Sequence, residues 1–157
     1  MSSRIQLQIF SALFGLATSL HTRADTPVQP RTQLPSYKQE CAACHMAYPA
    51  GFLPAESWRK MMNTLPKHYG VDASIDDPAL LKEISEWLQL NAGTYKRSGE
   101  VTPSNRMTDS AWFARKHREV ANDVWKRVAI KSASNCIVCH SGAERGDFNE
   151  RGIRIPK

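Results

Sequence analysis

Apolar residues along this chain recur at intervals of three and four, the spacing of a helix face, and no stretch carries a convincing strand pattern. Ser36 with Gln39 matches a capping box, which predicts a helix starting at Ser36 and carrying the first cysteine pair. Pro49, Gly51 and Pro54 then interrupt the chain. Trp58, Met61, Met62 and Leu65 share a face, predicting a second helix over residues 56–65 that Pro66 closes. Asp77 as N-cap and Pro78 at the first helical position announce a third. Its buried face is Leu81, Ile84, Trp87 and Leu88, and it stops around Asn91-Ala92-Gly93. A long fourth helix is predicted over residues 110–130, with the stripe Phe113, Val120, Val124 and Val128 and with His117 inside it. The expected fold class is mainly α.

Composition divides that pattern. A polar stretch containing Ser98-Gly99, Pro103 and Ser104 separates a first lobe, residues 36–93, from a second, residues 109–157, with residues 94–108 as linker. Residues 1–24 read as a cleaved secretory signal. Arg4 opens it, residues 5–20 are uncharged and rich in apolar side chains, and Thr22-Arg23-Ala24 supplies the small residues of a cleavage site. An uncleaved anchor is the alternative, although the run is short for a span of about 20 residues. Residues 25–35, rich in proline and polar side chains, read as an extended leader. The mature chain is thus expected in the periplasm, without a membrane span.

The 157 residues include 21 basic and 15 acidic side chains, and two of the basic ones leave with the signal. The remaining charges are mixed in sign, as in KEISE and RKHRE, which describes a solvated surface and not a nucleic-acid-binding face. Each lobe is close to the size at which an apolar core alone is marginal.

All four cysteines lie in two units, Cys41-Ala42-Ala43-Cys44-His45 and Cys136-Ile137-Val138-Cys139-His140. Two cysteines separated by two residues can place both sulfurs on one side of a turn for thioether bonds to haem, and the following His can meet the iron. Zinc fingers separate their cysteine pairs by about 15–20 residues, far less than the distance from Cys44 to Cys136. A thioredoxin-like site needs a βαβ setting. Two disulfides remain the alternative for an exported chain. Two C-x-x-C-H units that use every cysteine favour two covalent c-type haems, with His45 and His140 as proximal ligands.

Beyond the expected signal, which takes His21 with it, His68 and His117 are then left for the opposite faces. His117 faces the same way as the apolar stripe, whereas His68 falls on a loop after Pro66-Lys67. Methionine competes as a ligand, with Met61 and Met62 in the first lobe and Met107 near the second. A swapped arrangement, in which each distal His serves the other lobe, also stays open.

The chain resembles the periplasmic dihaem cytochromes c often called DHC. The resemblance rests on the first C-x-x-C-H followed by Ala47-Tyr48-Pro49, then Leu53-Pro54, Ser57-Trp58 and His68-Tyr69-Gly70-Val71-Asp72-Ala73-Ser74. It continues through Arg115-Lys116-His117, the second C-x-x-C-H and Ile153-Arg154-Ile155-Pro156. It implies two haem lobes, the first similar to a mono-haem cytochrome c fold, and bis-His ligation at both irons through His68 and His117. It also implies electron donation to a small oxygen-binding monohaem cytochrome called SHP, and association with a membrane b-type cytochrome. An electron carrier with no catalytic residues is the expected function. A small dihaem enzyme, a peroxidase or nitrogen-oxide reductase with one open iron, is the alternative.

Overall fold

The computed structural model describes residues 33–94 and 100–157. The expected signal, residues 25–32 of the leader and residues 95–99 of the linker lie outside the described residues. Among the described residues there are helices and short 3-10 turns but no strand, so the fold is mainly α. No described helix is long and apolar enough to cross a membrane.

Helix α1, Pro35–Cys41, begins without the expected capping box. Pro35 occupies the first turn, where its fixed φ is already helical and its missing N–H costs nothing. The Ser36 hydroxyl instead reaches across to Glu83 at 3.1 Å. The helix buries Tyr37, whose ring packs against Trp58 and Trp87 at centroid distances of 6.4 and 5.3 Å. A 3-10 turn at Ala50–Phe52 follows the broken stretch.

Helix α2, Ala55–Met62, buries Ser57, Trp58 and Met62. The Trp58 indole donates to the Ala50 carbonyl at 2.7 Å, so its polar edge is satisfied inside the core. The helix ends three residues before its expected limit, and Leu65 lies in a separate 3-10 turn, Leu65–Lys67. Helix α3, Pro78–Leu90, starts as its sequence dictates. The Asp77 carboxylate accepts the N–H groups of Ala79 and Leu80 at 2.8 and 3.3 Å. Ile84 and Leu88, both 0% exposed, form its inner face, and α2 and α1 pack on it.

The predicted long helix breaks early. Helix α4 covers only Ala111–Lys116, capped by the Ser110 hydroxyl on the Phe113 N–H at 3.1 Å. Beyond it the chain turns repeatedly, with a 3-10 turn at Val124–Lys126. In a continuous helix, His117 and Trp125 would stand about 12 Å apart along the axis. Here their ring centroids are 5.7 Å apart, and Trp125 also packs on Phe113 at 6.0 Å. Folding back brings both aromatics onto His117, and it leaves Val128, an expected core residue, 87% exposed.

The rest of the chain proceeds through 3-10 turns at Cys136–Val138, Ala143–Arg145 and Glu150–Gly152. Gly142 is buried against Asp147, where a Cβ would lie 2.8 Å from the Asp147 Cβ, so only glycine fits this turn. Core residues from Tyr37 to Leu88 form one cluster that also takes in Met107, from the stretch read as linker. Trp112 and Phe148 pack against that cluster, with ring centroids 5.5 and 4.9 Å from Phe52.

Candidate functional site

Cys41 ends α1, and the next four residues form an open turn that carries Cys44 and His45 to the surface of the protein. Burial pushes the Cys41 thiol up to about 11, whereas Cys44 is exposed. The His45 Nδ1 lies 2.7 Å from the Met46 carbonyl oxygen. A carbonyl only accepts, so Nδ1 carries the proton and Nε2 keeps a free lone pair. Tyr48 stacks on the His45 ring at 4.8 Å.

His68 follows the 3-10 turn Leu65–Lys67, whose Leu65 is buried in the core. The Val71 N–H bonds the His68 carbonyl and the Ala73 N–H bonds the Leu65 carbonyl, both at 3.0 Å, closing a tight loop. Within it Tyr69 takes a left-handed φ of 50°, uncommon for a bulky residue. Two contacts from the linker hold it there. Its hydroxyl donates to the Ser104 carbonyl at 3.1 Å, and the Arg106 guanidinium lies 3.8 Å from its ring centroid. The loop thereby sets His68 opposite His45, with ring centroids 6.1 Å apart and ring planes inclined at 30°.

The second centre is built from the other end of the chain. In the turn that begins at Cys136, the N–H groups of Cys139 and His140 both donate to the Cys136 carbonyl, at 3.2 and 2.8 Å. The closing segment clamps this turn through the Arg154 N–H on the Cys139 carbonyl at 3.0 Å and a bridge between His140 and Ile153. His117 terminates α4, and its Nδ1 meets the Phe113 carbonyl at 3.0 Å, which again leaves Nε2 free. Phe113 stacks on the same ring at 4.0 Å. His117 and His140 have ring centroids 6.1 Å apart and planes crossed at 84°.

Burial lowers the pKa of His68, His117 and His140; positive neighbours add to this at His68 and His140, whereas Asp147 partly opposes it at His140 and the Phe113 carbonyl at His117. The neutral imidazole is the form that ligates a metal. A metal–imidazole bond is about 2.0–2.1 Å. With ~1 Å from ring nitrogen to centroid on each side, two imidazoles sharing one ion stand about 6 Å apart. Both pairs meet that spacing. The Nδ1 of His140 is buried and has no hydrogen-bond partner.

The four cysteines are not paired with one another. Among the described residues no cluster of three or more His, Cys, Asp or Glu could hold a metal ion, so the zinc alternative has no ligand set. Met62 and Met107 are packed into the core cluster, and Met46 is buried. Met61 is half-buried and lines a cavity of about 80 Å³ beside His68. Each sequence-predicted His is thus brought to one partner, and the pairing stays within each lobe. Sequence reasoning missed Tyr48, Tyr69 and Arg106 as supports, although Tyr48 and Tyr69 stand inside the stretches that carried the resemblance.

No curated protein matches this chain. The family model of the dihaem cytochromes c, DHC, matches residues 37–148. The X-ray structure of the diheme cytochrome type c from Shewanella baltica OS155 is similar over 78% of this chain and 92% of its own, with 36% identity and a TM-score of 0.68. DHC purified from Rhodobacter sphaeroides is 44% identical over 74% of this chain and 97% of its own, with a TM-score of 0.64. With two C-x-x-C-H units, two opposed histidine pairs and these likenesses, the chain belongs to the dihaem cytochrome c family and has two covalently bound c-type haems as its cofactors.

Proposed function

We propose that this protein is a periplasmic electron carrier in which both irons are closed by two imidazoles. The observation that carries the reading is the equal 6.1 Å spacing of the His45–His68 and His117–His140 pairs. Cys41 and Cys44 attach the first haem, and Cys136 and Cys139 the second. When bound, each haem supplies a one-electron couple, and ligation without Met keeps its potential on the low side. The chain's part is to hold the ligands. Nδ1–H donation to backbone carbonyls orients His45 and His117, and the linker contacts to Tyr69 hold the loop of His68.

An enzyme with one open iron needs a histidine withdrawn from one of these pairs, and neither pair has that geometry. We further propose, on the strength of the family resemblance, that the carrier passes electrons between a membrane b-type cytochrome and a soluble SHP-like monohaem cytochrome. Low-temperature EPR of the oxidised protein tests the ligation. The expected result is two low-spin ferric centres and no carbon monoxide adduct on rapid mixing of the reduced form. A high-spin signal, or prompt carbon monoxide binding, overturns the reading. Mixing the reduced protein with a candidate acceptor cytochrome then tests the direction of transfer.

A further inference from the structure

Arg106 is a cation held in place without a carboxylate. Its backbone is fixed on both sides. The N–H donates to the Ser104 hydroxyl at 3.1 Å, and the carbonyl accepts the hydroxyl of Thr102, itself 2% exposed, at 3.1 Å. Its guanidinium carbon lies 3.8 Å from the centre of the Tyr69 ring. Among the described residues it forms no ion pair, whereas Lys60 and Lys82 are engaged by Glu56 and Glu86 at 2.8 and 2.7 Å.

This cation stands beside the first centre. Tyr69 packs edge-on to His68, with ring centroids 4.9 Å apart. The guanidinium charge is felt at His68, and again at Tyr48, whose ring stacks on His45 at 4.8 Å. Arg106 thus neighbours the residues on both sides of the His45–His68 pair. A haem carries its propionate carboxylates at one edge, and a carboxylate drawn out of bulk water needs donors. The planar fork of Arg matches a carboxylate with two parallel N–H bonds. The π face of one ring cannot engage all five N–H donors of a guanidinium, so donors remain for such a partner. Residues 33–94 hold more acidic than basic side chains, so the linker supplies a charge that the first lobe itself is short of.

We propose that Arg106 is the carboxylate-binding group of the first haem site, its guanidinium taking a haem propionate while the Tyr69 ring beneath it holds the loop of His68. This rests on the His45–His68 ligation proposed above. One linker residue then secures the cofactor at its edge and the distal ligand at its face. The added positive charge disfavours the ferric state, which is the more positive one, so the contact raises the potential of the first haem.

The test uses the holoprotein and two variants, Arg106→Gln and Arg106→Lys. Both reduction potentials are titrated optically, the carboxylate stretching bands are followed by redox-difference infrared spectroscopy, and EPR reports each centre. In Arg106→Gln the first haem should be reduced about three- to tenfold less readily, a fall of about 30–60 mV at about 59 mV per tenfold, with the second potential unchanged. Arg106→Lys keeps the charge and loses the fork, so its first potential should fall between, and the carboxylate bands should move in both variants. Carboxylate bands that stay in place in Arg106→Gln overturn the proposal, whatever the potential does, and confine Arg106 to the loop of His68. An unchanged first potential in Arg106→Gln overturns it too. So does an Arg106→Lys protein identical to its parent, because charge without contact predicts that pattern. A first centre that is not low-spin in the unmodified holoprotein sinks the ligation reading and this proposal with it, and is read before the variants are made.

Discussion

The imidazole rings of the two histidine pairs are spaced alike but turned differently, near-parallel at 30° in the first and crossed at 84° in the second. Parallel rings donate into the same iron d-orbital and split the nearly degenerate pair, whereas crossed rings donate into both and leave them close in energy. The oxidised holoprotein should therefore show two distinguishable low-spin signals, the more anisotropic one from the second centre. His117→Gly should abolish that signal and give one carbon monoxide-binding haem per molecule, leaving the other signal in place; two altered centres would show the pairing is wrong. Arg106 over Tyr69 makes a cation–π contact at the surface, a class worth about 0.5–1 kcal/mol. Arg106→Gln should accordingly raise the population with His68 displaced by about two- to fivefold, read as faster carbon monoxide entry at the first haem. An Arg106→Gln protein indistinguishable from its parent would remove the linker from the account of His68.

Among the elements, α3 was legible because its start is a local event. Asp77, Pro78 and the apolar face at Leu81, Ile84 and Leu88 all lie within a dozen residues. Losing the cap in Asp77→Ala should cost about 1 kcal/mol and lower the melting temperature by a few degrees. The stretch after α4 was misread because Val120, Val124 and Val128 continue the helical spacing of Phe113 without continuing its helix. Their spacing carries no information about Trp125 folding back onto His117. Val124 is 8% exposed and Val128 87%, so truncation separates the two readings. Val124→Ala should destabilise by about 1–3 kcal/mol, and Val128→Ala by less than about 0.5 kcal/mol. Equal losses in urea titrations would restore the continuous helix.

At the scale of the molecule, the helices α1 to α3 and the later part of the chain, with α4 and its turns, share packing at Phe52, Met107, Trp112 and Phe148. That shared packing predicts one cooperative unfolding transition for the holoprotein, with both haem bands and far-ultraviolet ellipticity lost together. Separated transitions would mean that the lobes stand alone. Among the described residues after α3, α4 is the one α-helix and the rest are short 3-10 turns, so the order of this part depends on what its aromatic side chains surround. Replacing all four attachment cysteines by alanine should leave a poorly ordered chain by circular dichroism.

The sequence by itself determined the two C-x-x-C-H units, the mainly α class and the helices around the first core, and it named the four histidines that the structure sets in pairs. Each is written in neighbouring residues, as a covalent spacing, a cap or a periodicity. Only the tertiary structure decided that His68 meets His45 and not the second centre, that the chain leaves its helix at His117, and that Tyr48 reaches Ser134. Those outcomes depend on contacts between residues far apart in the chain, whose formation is governed by the packing of Phe113, Trp125 and the shared core. No local pattern encodes such contacts, because the free energy that selects them exists only once the distant partners are together.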